Sequence, residues 1–441
     1  MRSIGAQLGR RARVGVAVVA AATLGVALTA CGGGGNGSAS STKTSTSGSS
    51  SKLTGTVHFT AIAPLTGSYA ALGLPVADGT KAAAYWINKG GGVLGKKLAV
   101  DPVDTRGDPA DAATALTQEI TLNHPKAIIG PITLGIHGVQ PVFDRYKIPD
   151  GWNGGSASYD TNTDPYLWRC NASDSEEGVA IAGYAAMKGY KTAAMVFTTS
   201  AASQSFEPIV KQYFTALGGK IVATESIQPT LNSYSSEMSA VINAHPQVIF
   251  TQMEPGTAAA AFKNMQALNG LTIPWIGTDF MAGSTVIQAI GPTVSKDHMV
   301  EVQGSTSSAG GGVAKFDKAM KSVTGKPPQS GANFAYDCTM AMALAMDQAG
   351  STTSTKVIKN LSSVGNPPGA TVTTYAKAYA DVKAGKAINY QGVSGPMDFN
   401  KYHNVTGAWS VVQAKGTKTG LVTNVTTITP AQISKFLKGK V

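Results

Sequence analysis

The chain has 441 residues, 43% of them hydrophobic and 14% charged, and it carries a net charge of +11 at pH 7. About 390 residues remain beyond an N-terminal leader and tether, which is too many for one compact core and comfortable for two lobes. The lysines are scattered, without a basic run interleaved with aromatic residues, so the composition argues against nucleic acid as a partner.

The N-terminal segment is predicted to be an export signal followed by a tether. Four arginines precede an apolar run over 14–30 that is short for a membrane-spanning helix. The sequence Leu-Thr-Ala-Cys at 28–31 looks like a bacterial lipobox, where a lipoprotein signal is cleaved and the new N-terminal cysteine is acylated. We therefore expect a signal peptide over 1–30, lipid on Cys31 and a flexible Gly/Ser/Thr tether over 31–54. An ordinary signal peptide with a chance cysteine is the alternative.

A first series of alternating strands and helices follows the tether. Short β-branched runs predict the strands, and longer amphipathic runs predict the helices. Asp108 is placed to cap a helix that begins with Pro109. The predicted strands are 57–63, 98–103 and 127–130, the predicted helices are 78–88, 109–122 and 138–146, and the series closes with 167–170.

The alternation then restarts and gives a second series. Its predicted helices are 176–188, 205–217, 235–244 and 257–268, and its predicted strands are 193–198, 220–227, 247–252 and 274–277. Apolar strands that alternate with helices, with Gly or Pro at the joins, are typical of parallel sheets built from βαβ units. The sequence therefore predicts an α/β fold with two doubly wound, Rossmann-like lobes and a ligand cleft between them.

The last section of the chain is too irregular for a third lobe and is expected to complete the other two. It mixes helices with strand-like runs over 388–399 and 408–413. Lobe 1 is predicted to comprise 55–172 plus 304–408, and lobe 2 to comprise 173–303 plus 409–441. The chain is expected to cross between the lobes near 171–175, 302–306 and 405–410.

The cysteine pattern and the lack of catalytic motifs indicate which chemistry the chain can carry out. After Cys31, only Cys170 and Cys338 remain, and they lack the spacing of zinc ligands. Two cysteines can pair in an oxidising compartment, so we predict a disulfide, with two buried thiols as the alternative. The sequence has no G-x-S-x-G, P-loop or HExxH pattern. We therefore expect no enzyme activity, no cofactor and no metal site.

The strand-to-helix loops are the candidate ligand site, because ligands of open α/β sheets bind beyond the carboxyl ends of the strands. Their hydroxyl groups, glycines and helix N-termini suit a small polar or anionic group. Generic turns and helix caps are the alternative for each loop taken singly. The loops are 64–73, 130–135, 153–156, 199–205, 253–255 and 277–279.

With these elements placed, the chain resembles the branched-chain amino acid/amide-binding (leucine-binding protein-like) family of periplasmic binding proteins, the type I fold of ABC importers. The resemblance covers roughly 55–440. The order and spacing of APLTGSYAALG, AIIGP, WRCNASDSEEG and FAYDCTMAMALA carry it. It implies a solute-binding protein whose two lobes close on a small molecule. A lipobox and tether fit the same interpretation, because Gram-positive binding proteins need an anchor.

The resemblance also implies polar ligand contacts. Members that bind aliphatic amino acids hold the α-carboxylate with a serine after the third strand, which matches Leu134 here. Thr133 and the amide of Gly135 lie beside it in the sequence. A small residue and a threonine in the next loop match Gly154 and Ser156.

The acidic contact and the aromatic enclosure of the family are altered here. The acid that meets the α-ammonium matches Asp279. Three enclosing aromatic residues match Leu72, Ala202 or Ser203, and Met253, none of which is aromatic. Tyr69, Phe206 and Phe280 are the candidates to replace the missing aromatic rings. These departures predict a ligand that is bulkier than leucine, or one that is not an aliphatic α-amino acid.

The resemblance implies an extracytoplasmic, lipid-anchored protein that delivers a small polar or amphipathic molecule to ABC permease subunits. The ligand would be of amino acid, amide or aromatic acid type. The membrane is expected to be contacted through the N-terminal lipid only. One alternative is a ligand-sensing lipoprotein that presents the same fold to a membrane receptor. The other, an enzyme that uses the cleft, lacks a convergent nucleophile and base in the sequence.

Overall fold

The structure, a computed structural model, describes residues 53–67, 69–278, 284–305, 312–414 and 422–441 of the chain. The predicted signal peptide, Cys31, Asp279 and Phe280 lie outside these ranges. The described helices and strands form an α/β fold with two doubly wound lobes, which confirms the predicted fold class. No helix within the described ranges combines the length and apolar character that a membrane crossing requires.

A parallel five-stranded sheet forms the centre of the first lobe. Its elements are β1 (Thr56–Ala63), α1 (Ala70–Lys89), β2 (Lys97–Asp104), α2 (Pro109–Asn123), β3 (Ala127–Ile129), α3 (Ile136–Tyr146), β4 (Asp150–Trp152) and β5 (Leu167–Arg169). The strand order is β2-β1-β3-β4-β5, and a short 3-10 turn, Ala157–Tyr159, lies between β4 and β5. Asp108 caps α2 as predicted, since its carboxylate accepts from the amides of Ala110 and Asp111.

A larger sheet forms the centre of the second lobe. Its elements between residues 174 and 304 are α4 (Asp174–Met187), β6 (Thr192–Thr198), α5 (Ala201–Ala216), β7 (Lys220–Ile227), α6 (Ser235–Asn243), β8 (Val248–Gln252), α7 (Pro255–Ala267), β9 (Trp275–Thr278), α8 (Ser284–Ile290), α9 (Pro292–His298) and β10 (Met299–Gly304). Strands β7, β6, β8, β9 and β10 are parallel neighbours in that order.

The last section of the chain contributes to both lobes. Its elements are α10 (Gly312–Thr324), α11 (Ala332–Ala349), α12 (Ser354–Gly365), β11 (Ala370–Val372), α13 (Tyr375–Lys383), β12 (Ile388–Tyr390), β13 (Trp409–Ala414), β14 (Val422–Ile428) and α14 (Pro430–Phe436). Helices α10 to α13 pack into the core that contains α1 and β1. Strand β13 extends the second sheet antiparallel to β10, and β14 pairs antiparallel with β13 at the edge of the sheet.

Each sheet is covered by buried apolar side chains on both of its faces. In the first lobe, Phe59 lies in the core shared with α1 and α11, whereas Ile62 of the same strand lies in the core shared with α2 and α3. In the second lobe, Met195 and Val196 alternate in the same way between two cores. Burial on both faces explains why central strands such as β3, β6 and β8 are largely apolar, in contrast to the edge strands β2 and β7.

The crossings between the lobes converge, and a disulfide lies beside one of them. The chain leaves the first lobe after β5, returns after β10 and leaves again before β13. Cys170, at the start of the first crossing, is bonded to Cys338 on α11, with a Cα–Cα distance of 5.5 Å. Both cysteines are buried. The bond therefore ties the first crossing to the most buried helix of the first lobe.

Two predicted elements differ most from the observed ones. Helix α1 begins at Ala70 instead of residue 78, and Pro75 lies inside it. The predicted strand over 388–399 is wrong beyond Tyr390, because the chain there turns to meet the buried carboxylate of Asp337. That carboxylate accepts from the amides of Val393 and Ser394.

Candidate functional site

The topology provides one crevice at the carboxyl edge of each sheet. In the first sheet, β1 has β2 on one side and β3 on the other, so the loops that follow β1 and β3 diverge. In the second sheet, β6 lies in the same way between β7 and β8. Ligands of open α/β sheets bind at such switch points. Most of the predicted ligand residues follow β1, β3, β6 or β8, the four strands at these switch points. The others follow β4 or β9.

The loop after β1 is held in shape by Asp104, at the end of β2. Its carboxylate accepts from the amide of Leu65 at 2.8 Å, from the hydroxyl of Thr66 at 2.5 Å and from the amide of Arg106 at 2.9 Å. Burial opposes ionisation, but these hydrogen bonds outweigh it and lower the pKa of Asp104. An ionised Asp104 therefore fixes one wall of the first-lobe crevice.

Tyr69 and Leu72 lie at the start of α1, beside this wall. Both side chains are half-buried, and Tyr69 is the N-cap residue without a side-chain capping bond. The helix approaches the loop so closely that a Cβ at Gly73 would lie 2.0 Å from the carbonyl oxygen of Pro64. The glycine is needed for this approach, because any side chain would displace the crevice wall.

Thr133, Leu134 and Gly135 form the turn that leads into α3. Thr133 and Leu134 are half-buried, and Gly135 is the N-cap residue of α3, so no side chain caps the helix. Amide groups at a helix N-terminus point along the axis and favour an anion. The structure thus places these three predicted residues together, at the first-lobe switch point.

Gly154 and Ser156 follow β4. Gly154 packs against the ring of Trp152, and the hydroxyl of Ser156 lies 2.8 Å from that of Ser158. The neighbouring carbonyl of Gly155 accepts from the amide of Asp174 at 2.7 Å, where α4 begins the second lobe. The loop after β4 is therefore a point of contact between the two lobes.

A buried ion pair lies behind this contact, and sequence reasoning missed it. Arg169 is 2% exposed and contacts Asp160 at 2.5 Å. Its guanidinium also donates to the carbonyl of Ser156 at 3.1 Å. Asp160 in turn accepts from the hydroxyl groups of Ser173 and Ser175 in the first crossing and α4. The pair links the loop after β4 to the crossing, although no local pattern around either residue marks it.

A cavity of about 220 Å³ opens beside this pair. Glu176 and Asn404 are among the residues that line it, whereas the predicted ligand residues are not. Glu176 accepts from the amide of Gly407, and burial raises its pKa to about 7. This cavity belongs to the crossings between the lobes, not to the switch-point crevices.

Two predicted second-lobe residues serve the structure of the lobe itself. Met253 is fully buried in a hydrophobic core. Ser203 is 2% exposed, and its hydroxyl lies 2.8 Å from that of Thr198 at the end of β6 and donates to the carbonyl of Gln252 at the end of β8 at 3.0 Å. Phe206, a proposed substitute for the lost rings, is also buried in a core. Ala202 remains half-buried at the second-lobe switch point.

The end of β8 and the candidate loop that follows it carry two polar residues that are not among the predicted ligand residues. Gln252 is 6% exposed, and its Oε1 has no hydrogen-bond partner within the described part of the chain. The same holds for Oε2 of Glu254, the N-cap residue of α7, whose side chain makes no capping bond. Buried oxygens without partners carry a large desolvation penalty, so both are suited to a donor supplied from outside.

Comparison with known proteins supports the architecture. A family model described as "Periplasmic binding protein" matches residues 56–420. The Leu/Ile/Val-binding protein BraC3 of Rhizobium johnstonii is 28% identical over 260 residues, which cover 54% of this chain and 68% of that relative.

Two solved structures are also similar. The leucine-binding protein LivK of Thermotoga maritima has a TM-score of 0.71 at 21% identity, covering 85% of this chain and 99% of that one. A solute-binding protein of R. palustris in complex with benzoate has a TM-score of 0.68 at 19% identity, covering 85% and 97%. Because the family model spans most of the sequence, from the first strand of the first lobe to the last section, the chain belongs to the periplasmic binding protein family.

Proposed function

We propose that this solute-binding protein is the extracytoplasmic component of an ABC importer and that its ligand is a small carboxylic acid with an apolar or aromatic body. The observation that carries the proposal is the pairing of two unlike crevices. One crevice ends at the start of α3, where Gly135 provides no side-chain cap. The other ends at Oε1 of Gln252 and Oε2 of Glu254, which have no hydrogen-bond partner among the described residues. An acid that also bears a donor group matches both.

The carboxylate would bind in the first lobe. The amides at the start of α3 and the hydroxyl of Thr133 would donate to it, and the helix dipole favours its charge. In the second lobe, Glu254 and Gln252 would accept from an ammonium, amide or hydroxyl group of the ligand. Asp279, the sequence-based candidate for this acidic role, remains a further proposal.

The body of the ligand would lie against apolar residues that lack aromatic rings. Leu72 and Ala202 stand where related proteins for aliphatic amino acids carry large rings, and Leu134 replaces a serine hydroxyl. A small aliphatic ligand would leave a void here and lose dispersion contacts, whereas an aromatic body would fill it. The ligands named for two similar structures, leucine for LivK and benzoate for the R. palustris protein, are both small acids. We favour the aromatic class.

The protein would act by closure and by docking. The converging crossings serve as the hinge, and closure would bring the two crevices onto one ligand molecule. The closed form would then dock on permease subunits. Lipid on Cys31 would keep the protein at the outer face of the membrane. No enzymatic step belongs to this proposal.

Calorimetric titration tests the ligand class. We expect micromolar or tighter binding of an aromatic acid from the set benzoate, phenylacetate and phenylalanine, and at least tenfold weaker binding of leucine, isoleucine and valine. Submicromolar binding of any of the three aliphatic amino acids would overturn the class. Failure of the whole set would leave the proposal of a small acid without support.

A matched pair of variants tests the second-lobe contact. Glu254→Gln removes the charge that would meet a ligand ammonium, and a charge-assisted hydrogen bond of this kind is worth about 1.5–3 kcal/mol, or roughly 10- to 150-fold in affinity. Glu237→Gln on α6, whose carboxylate accepts from the neighbouring Ser236, is the control and should leave binding unchanged. An equal effect of both variants on phenylalanine binding would refute the contact.

A further inference from the structure

The fold gathers scattered lysines around two aromatic rings at the end of α1. Tyr85 and Trp86 pack edge to face at 5.1 Å, and both are partly exposed. The ammonium of Lys89 lies 4.2 Å from the centre of the Tyr85 ring. From α10, the ammonium groups of Lys315 and Lys318 lie 5.8 and 6.0 Å from the centre of Trp86. We call these five residues the lysine–aromatic face.

The surroundings of this face add positive charge. The ring of Tyr379 on α13 lies against Gly91, just past the end of α1, and the ammonium of Lys383 lies 5.2 Å from its centre. Asp381 of the same helix is buried and ion-paired with two further lysines. Asp317 is the exposed acid on α10, so cations exceed free carboxylates here. The excess favours a negatively charged partner.

The N-terminal tether joins the lobe at this same place. Leu53, the first described residue, lies so close to Gly92 that a Cβ there would come within 3.0 Å of its side chain. The amide of Thr54 donates to the carbonyl of Gly95 at 3.2 Å. Both glycines follow α1, close to Lys89. A random-coil linker of about 21 residues, the length that the Gly/Ser/Thr composition of 32–52 predicts for the tether, has a root-mean-square span of roughly 25 Å. It would therefore hold this face near its anchor.

The face also lies at the end of the lobe opposite the ligand crevice. Helix α1 starts beyond the carboxyl end of β1 and runs back toward its amino end, where Thr56 pairs with Lys97. The last turn of α1 is therefore at the amino edge of the sheet, whereas the crevice loops are at the carboxyl edge. A partner bound to the face leaves the crevice accessible.

We propose that the lysine–aromatic face rests on the anionic phospholipid headgroups of the membrane that carries the protein. The position of the tether favours a lipid surface over an acidic protein, because it keeps this end of the lobe, and not the crevice end, next to the bilayer. Lysines near an anionic surface each strengthen binding about fivefold, and Trp and Tyr rings favour the headgroup region. The inference rests on the proposed lipid anchor at one point only, namely that the tether leads from this end of the lobe to the membrane.

Vesicle sedimentation of the unlipidated chain from residue 32 onward tests the face directly. The part from Ser50 to Val441 is one compact unit that contains all four hydrophobic cores, so this form is expected to fold. We expect binding to vesicles with 30% phosphatidylglycerol in phosphatidylcholine, little binding to phosphatidylcholine alone, and loss of binding in high salt.

Two triple variants with the same charge change separate a local face from net charge. Lys89→Gln/Lys315→Gln/Lys318→Gln should lower the partition coefficient on the order of 100-fold. The control on exposed second-lobe positions, Lys220→Gln/Lys263→Gln/Lys438→Gln, should lower it by less than about threefold.

Two results would overturn the inference. Equal losses in the two triple variants would mean that the vesicles sense only net charge. Absent binding to phosphatidylglycerol vesicles would exclude the lipid partner and favour an acidic protein instead. Because the assay uses no lipid anchor and no ligand, its outcome is independent of acylation at Cys31. Ligand titration of the first triple variant, which should match the unsubstituted chain, reports separately on the proposed function.

Discussion

Removal of the disulfide between Cys170 and Cys338 should cost more stability than most single core substitutions. The bond closes a loop of 168 residues that spans the whole second-lobe series. The chain-entropy expression for a loop of that length gives about 5 kcal/mol at 25 °C, and native disulfides measure about 2–5 kcal/mol. We therefore expect Cys170→Ala/Cys338→Ala to lower the free energy of unfolding by about 3–5 kcal/mol.

Guanidinium unfolding followed by circular dichroism can separate the crosslink from packing. Both cysteines are buried, so the double variant also loses sulfur contacts. Unfolding of the unsubstituted chain in a reductant removes the crosslink alone. Reduction should account for most of the loss, and it should raise the denaturant slope, because the unfolded chain then exposes more surface. The double variant should be slightly less stable than the reduced chain.

The reasoning fails if the crosslink does not restrict the unfolded state. A loss below about 1 kcal/mol on reduction, with an unchanged denaturant slope, would refute the chain-entropy argument. Titration of two free thiols in the unfolded, unreduced protein would show that the bond does not form at all.

Three further predictions concern separate parts of the chain. Burial raises the pKa of Glu176 to about 7, so its stabilising contribution is full below pH 4.5 and is lost as the pH rises through 7. Glu176→Gln should therefore stabilise the protein by up to about 3 kcal/mol at pH 8 and hardly at pH 4, and a pH-independent difference in denaturant unfolding would contradict this. Gly73→Ala should destabilise by about 1–3 kcal/mol and weaken ligand binding because of the contact with Pro64, whereas Gly256→Ala, with open space around it, should do neither. Cys31→Ser should release the protein into the medium or leave it uncut, as seen by fractionation, and processing and retention like the natural chain would contradict the lipobox.

The fold was predictable because its signals are local. Apolar runs of strand length alternate with longer amphipathic runs, and each join carries a glycine, a proline or a capping residue such as Asp108. The alternation alone implies parallel strands and their crossover helices. It does not extend to β14, which pairs antiparallel with β13 and was missed, because a strand at the border of a sheet follows no βαβ rule.

The site was less predictable because side-chain direction changes between adjacent residues of a loop. Met253 was selected by its match to an aromatic position, yet it is fully buried in a core. The next residue, Glu254, is half-buried, and its Oε2 has no partner in the described part of the chain. A shift by one residue thus separates a core side chain from a candidate ligand contact. The sequence marks the loop as a candidate, but the packing of α7 on its strand decides which of its side chains is buried in the core.

Long-range pairing limits sequence reasoning in the same way at both ends of the first lobe. At the carboxyl end of the sheet, Arg169 can be buried because Asp160 pairs with its charge and two loop carbonyls accept from its guanidinium. These partners are brought together by the tertiary fold. At the opposite end, Trp86 and Lys315 are neighbours across more than two hundred residues. Lysines that are scattered in the sequence become a local field only after folding. Net charge therefore says little about partners until the face that carries it is known.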